Sequence, residues 1–186
     1  MSPLIPLTRG ALVAAVFTAT CGALVPPASA ADSRPVLALT PTAAGPVKVG
    51  TPTRIGEAKL RRTIGNPTKA TNGGCEFANE HARHLSWGSA VTVVFSDING
   101  HGQRLHGWNV REGRATVKVS LPYGVRIGTT AAAVRKAIPA TKGQWNPTFQ
   151  TYNVTTSKAP GMYWFSDRKD GRGPVTAISL NPVFCD

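Results

Sequence analysis

YGVRIGTTAAAVRKAIP, residues Tyr123 to Pro139, reads as a short strand, a glycine turn and an amphipathic helix. Val125-Arg126-Ile127 alternates apolar, basic, apolar, and Gly128 breaks the run. Thr129 or Thr130 offers a hydroxyl to cap the first free N–H groups of a helix. Ala131, Val134 and Ile138 then share one helical face, at i, i+3 and i+7. Pro139 stops the helix, because its ring removes a donor and clashes with the preceding turn.

An echo lies earlier, at Gly45 to Pro67, GPVKVGTPTRIGEAKLRRTIGNP. Val47-Lys48-Val49 alternates and ends at Gly50, and Thr51-Pro52-Thr53 supplies a helix start. Leu60 and Ile64 fall on one face, while Lys59, Arg61 and Arg62 fall off it. Gly65-Asn66-Pro67 ends the helix. Val47 to Thr51 matches Val125 to Thr129 at an offset of 78, and Leu60 to Ile64 matches Val134 to Ile138 at 74. The difference of four is about one helical turn, so the apolar face is kept. Phe95-Ser96-Asp97 matches Phe165-Ser166-Asp167 at 70.

Three matches in the same order indicate a duplicated unit. The remaining strand candidates are Cys75 to Ala78, Trp87 to Ser96 and Leu105 to Arg111, then Phe149 to Thr155, Gly161 to Asp167 and Val175 to Phe184. Ala115 to Ser120 is a further extended run. The predicted fold is α+β, with two related repeats in one packed unit. Each repeat is a short strand and helix followed by an antiparallel meander. Residues 45–120 form the first repeat and 121–186 the second, after a flexible lead-in over 31–44.

Val49-Gly50-Thr51, Ile127-Gly128-Thr129 and the helix after each carry a resemblance. The pattern resembles the tandem-repeat secreted proteins of the β-lactamase inhibitor protein type. Their repeat is similar to that of the SmpA/OmlA outer-membrane assembly lipoproteins. Over Gly45 to Asp186 the resemblance implies helices packed on antiparallel sheet and a binding role instead of catalysis.

Met1 to Ala30 reads as a secretion signal. Arg9 gives the positive start, Ala11 to Val25 is apolar but too short to span a bilayer, and Ala28-Ser29-Ala30 is a small-residue cleavage site. The alternative is lipidation at Cys21, for which Thr18-Ala19-Thr20-Cys21 is a poor box. No later run has the roughly 18 apolar residues of a spanning helix. The protein is therefore expected outside the cell. Removing Arg9 from the 21 Lys and Arg leaves 20 against 9 acids, a net charge of +11. That surplus attracts polyanions, which for an exported protein means cell-wall polymer, anionic lipid or an acidic protein, with nucleic acid not expected. Cys75 and Cys185 remain in the mature chain, and two cysteines in an oxidising compartment are expected to pair. The alternative is one buried and one exposed thiol.

Catalytic signatures are weak. Glu80-His81-Ala82-Arg83-His84 holds two histidines at i, i+3, which on a helix would face one ion, but the segment lies between strands and reads as a solvated loop. His101 and His106 flank a hairpin turn and would join such a site only if the loops meet. There is no G-x-S-x-G elbow and no phosphate-binding glycine loop. Asp97 and Asp167 read as strand-end acids. Among Trp87, Trp108, Trp145 and Trp164, the second and fourth read as core and Trp145 as exposed.

The reading is a non-enzymatic, cofactor-free secreted protein that binds an extracellular or envelope protein through sheet surface and hairpin loops. Its binding candidates are Arg61, Arg62, Arg135, Lys136 and Trp145. The alternatives are a polyanion-binding envelope protein that uses the four basic residues, or a secreted hydrolase.

Overall fold

Both helices form where their apolar faces and end signals place them. The computed structural model describes residues 32–73, 81–97 and 100–182. Helix α1 spans Thr53–Ile64 and buries Gly56, Leu60 and Ile64. Its first turn carries no side-chain cap. Thr53 instead donates both its N–H and its hydroxyl to the Gln103 carbonyl, at 3.0 and 2.8 Å. Helix α2 spans Ala131–Ala137, and the Thr130 hydroxyl accepts from the Ala133 N–H at 3.2 Å. Ala131, Val134 and Ile138 are fully buried.

The rest of the described chain is mostly strand, so the class is α+β. In chain order the strands are β1 (Val36–Thr40), β2 (Ala43–Ala44), β3 (Val47–Lys48), β4 (Lys69–Gly73), β5 (His81–Trp87), β6 (Val91–Asp97), β7 (Arg104–Arg111), β8 (Lys118–Ser120), β9 (Thr141–Asn146), β10 (Thr151–Thr156), β11 (Met162–Ser166) and β12 (Val175–Leu180). Helix α1 lies between β3 and β4, and α2 between β8 and β9. A small sheet has the order β3-β2-β1-β8. A large one has the order β4-β5-β6-β7-β12-β11-β10-β9, with every neighbour antiparallel.

Each helix is thus followed by a four-stranded meander, and the two meanders join where β7 pairs with β12. At that seam Trp108 lies opposite Leu180, Asn109 opposite Ser179 and Val110 opposite Ile178. Both helices are also fastened to their meander's last strand alike. Gly50 donates to the Leu105 carbonyl and Leu105 donates to that of Thr51, each at 2.8 Å. Gly128 donates to the Val175 carbonyl at 2.8 Å, and Val175 donates to that of Thr129 at 2.7 Å. Gly50 and Gly128 have φ of 84° and 87°, the left-handed region that side chains disfavour.

One layer covers one face of the large sheet. Leu60 and Ile64 of α1, Val134 of α2 and Leu37, Leu39 and Val47 of the small sheet pack in one core with Phe95, Trp108, Trp164 and Ile178. The Trp108 indole N–H donates to the Thr40 carbonyl, and that of Trp87 donates to Gly65. Glu57 of α1 accepts from Arg61 at 2.6 Å and from Arg83 of β5 at 3.3 Å, which ties the helix to the sheet.

Several sequence expectations are corrected. Residues 31–44 include β1 and β2 instead of a flexible lead-in. Leu37 and Leu39 are buried, and β1 is held by parallel pairing with β8, a partner that sequence periodicity cannot reveal. Val125-Arg126-Ile127 is not a strand. Its counterpart β3 is kept extended by β2, and residues 125–127 have no such neighbour. The segment from His81 is strand β5 and not a loop, and β4 and β9 are additional edge strands. The residues Glu80, Cys75 to Ala78 and Cys185, and the leader over 1–30, lie outside the described residues.

The Phe-Ser-Asp match also slips by one residue. Phe95 pairs with Leu105 and sits in the core, whereas Phe165 pairs with Ala177 and stacks on Tyr163. It is Ser166 that pairs with Val175, the strand residue that corresponds to Leu105. A slip of one reverses the side chain's face, so the two phenylalanines point to opposite sides.

Candidate functional site: the open face of the large sheet

Side chains alternate across a strand, so the pairing registers sort the large sheet into two faces. Leu85, Trp87, Val93, Phe95 and Trp108 lie on the covered face. His84, Thr92, Val94, Asn109 and Arg111 lie on the other, with Tyr163, Asn153 and Gln144 farther along. No second layer of described strands or helices covers that face, and most of its residues are half-buried or exposed. Beta sheets with one solvated face normally carry polar side chains there. Here the polarity is one-sided. Lys69, His84, Arg111 and Lys142 belong to the open face. The one acid in any described strand is Asp97, which ends β6 with the alternation of core-facing Phe95.

Two depressions interrupt the face. One, of about 270 Å³, straddles the β7–β12 seam and is lined by His84, Thr92, Asn109, Arg111, Ser179 and Asn181, among others. There the Asn109 amide donates to the Ser179 hydroxyl, and the Arg111 Nε donates to the Ser89 carbonyl at 3.1 Å. The other, of about 480 Å³, lies at the β9 end against Lys142, Gln144, Trp145, Asn153, Thr155 and Tyr163. The Tyr163 and Phe165 rings stack nearly parallel, 5.8 Å apart.

The basic candidates from the sequence belong to the other layer. Arg62 of α1 and Arg135 and Lys136 of α2 are exposed. Arg61 is half-buried and engaged, since it reaches both Glu57 and, at 2.8 Å, the Asn66 side chain. Burial pushes the Glu57 carboxyl up. The hydrogen bonds and charges of Arg61 and Arg83 outweigh that effect and hold it below the ordinary 4.5. Trp145 is half-buried on β9, opposite Tyr152, instead of fully exposed. Trp87, Trp108 and Trp164 are all buried.

The groups considered for chemistry do not converge. His81 and His84 sit three apart on a strand, so they point to opposite faces and cannot share an ion. His101 and His106 line a separate depression of about 230 Å³ with Ser96 and Asp97. Among the described residues no three His, Cys, Asp or Glu side chains form a group able to hold a metal. Strands β6 and β11 are three places apart and run in opposite directions, which puts Asp97 and Asp167 at opposite ends of the sheet. No described helix is long and apolar enough to cross a membrane. The open face was not evident in the sequence, because β5 and β9 lack the β-branched runs that announce strands. Compared with known proteins, the chain matches no family model, no curated protein and no solved structure.

Proposed function

We propose that this chain is an exported, non-enzymatic binding protein that docks an acidic extracellular or envelope protein on the open face of its large sheet. The observation that carries the reading is the charge pattern of that face. Eight strands present Lys69, His84, Arg111 and Lys142, hydroxyl and amide side chains and a stacked aromatic pair, with no carboxylate among them. A surface of one sign steers and selects a partner of the other. The exported chain's formal charge of +11, from 20 Lys and Arg against 9 acids, acts in the same direction at long range.

Two related halves fit this reading. The paired bonds of Gly50 and Gly128, and a seam in which Trp108 faces Leu180 while Val110 faces Ile178, support descent from one duplicated unit. Positions 108 and 178, and 110 and 180, differ by the same 70 residues, so the seam maps onto itself. Duplication joins two small sheets into one surface broad enough for a protein partner.

Photo-crosslinking in the producing cell tests the proposal. A crosslinker at Thr92 or Asn153 on the open face should give one discrete protein adduct, and one at Ala132 on exposed α2 should give none. Adducts from Ala132 alone would move binding to the helical layer. That outcome favours the polyanion alternative, which the exposed Arg62, Arg135 and Lys136 support.

A further inference from the structure

We infer that the depression across the β7–β12 seam is a carboxylate pocket, which receives one Asp or Glu side chain of the partner. The inference rests on the open-face reading and names its anchor. Arg111 supplies the charge. Its Nε is held by the Ser89 carbonyl, which fixes the guanidinium plane and leaves both terminal amino groups to a ligand. No carboxylate among the described residues forms a salt bridge with it. Planar guanidinium and carboxylate match as a two-bond fork.

Beside it, Ser179 is 1% exposed and accepts from the Asn109 amide. A hydroxyl that accepts keeps its own proton to donate, so Ser179 offers a buried donor to the same pocket. His84 and Thr92 complete the wall. A volume of about 270 Å³ has room for one acidic side chain with its first waters. The site lies between four strands on one side of the sheet and four on the other. Interface hot spots, in which Arg is enriched, cluster near such central positions.

The probe is a hexaglutamate peptide, titrated into the isotope-labelled mature chain at low salt and followed by amide NMR shifts. The expected shifts cluster at residues 84, 92, 109, 111 and 179. Arg111→Gln should weaken binding at least tenfold and Ser179→Ala several-fold, while the pair Arg135→Gln and Lys136→Gln stays within twofold. Unchanged amide spectra away from the pocket show that the variants are folded. If hexaglutamate binds the open face but Arg111→Gln leaves its affinity unchanged, the pocket is refuted and the docking face stands. Shifts confined to α1 and α2 refute both. Tighter binding of inorganic polyphosphate at the same five residues refutes the assignment to a carboxylate.

Discussion

Replacing Gly56 with Ala tests how α1 is seated. In an exposed helix interior the change stabilises by about 1 kcal/mol, because Ala has the higher helix propensity. Gly56 is buried, and a Cβ there would lie 2.5 Å from Phe95 Cε1, 2.9 Å from Cζ and 3.1 Å from a Val47 methyl. The first two distances are shorter than carbon atoms allow. Phe95 and Val47 are themselves fully buried, so the ring has no solvent to turn into. Overpacking costs roughly 1–3 kcal/mol, and a ring approached this closely with nowhere to turn puts the site in the upper part of that range, about 2–3 kcal/mol. Set against the propensity gain, a net loss of about 1–2 kcal/mol is expected. For a domain of this size that lowers the melting temperature by roughly 2–8 °C. Calorimetry measures it. Phe95→Leu removes the obstructing ring edge, so the double variant should lose less than the two single losses combined. That non-additivity marks contact. A Gly56→Ala protein as stable as wild type, or strictly additive losses, would refute the close approach of α1 to β6.

Three other outcomes are expected. Glu57 has a depressed pKa in the folded chain, so its contribution is present above the ordinary value of 4.5 and is lost as pH falls through the folded value. Acid denaturation curves of wild type and Glu57→Gln should therefore converge below that pH, and a constant gap would be evidence against the Arg61 and Arg83 ion pairs. Charge reversal at Arg62, Arg135 and Lys136 should leave stability within about 0.5 kcal/mol, since exposed charges contribute little. Arg61→Glu should cost more, because it turns an ion pair with Glu57 into a repulsion; equal melting temperatures in all four single variants would contradict this. Finally, β4 and β12 run toward the same end of the sheet, four strands or about 19 Å apart. Two residues beyond Gly73 and five beyond Leu180 together reach about 23 Å, so a Cys75–Cys185 linked peptide is expected in non-reducing peptide maps. Two alkylatable thiols would refute the bridge.

The sequence by itself determined the two helices. Their signals are local: Leu60 with Ile64 and Val134 with Ile138 repeat within a turn, Thr130 caps across three residues, and Gly65 and Pro139 end each run. It also marked β7, β10 and β11 to within two residues. Tertiary structure decided the rest. All five residues of β4 are exposed, so nothing in KATNG asks for a strand, and only the ladder to β5 makes it one. Strand β1 finds its partner about eighty residues away. Side-chain facing is subtler still. His84 read beside His81 suggests a paired site, yet a strand sends them to opposite sides. Phe95 and Phe165 match as letters and differ by one step in register. The open face of the large sheet is made of such residues. Arg111, Asn109 and Ser179 have no shared motif, and Asn109 and Ser179 stand 70 positions apart in the chain. They meet because β7 pairs with β12. Backbone pairing between distant strands depends on which surfaces must be buried together, and that is a property of the whole core and of no single stretch of sequence.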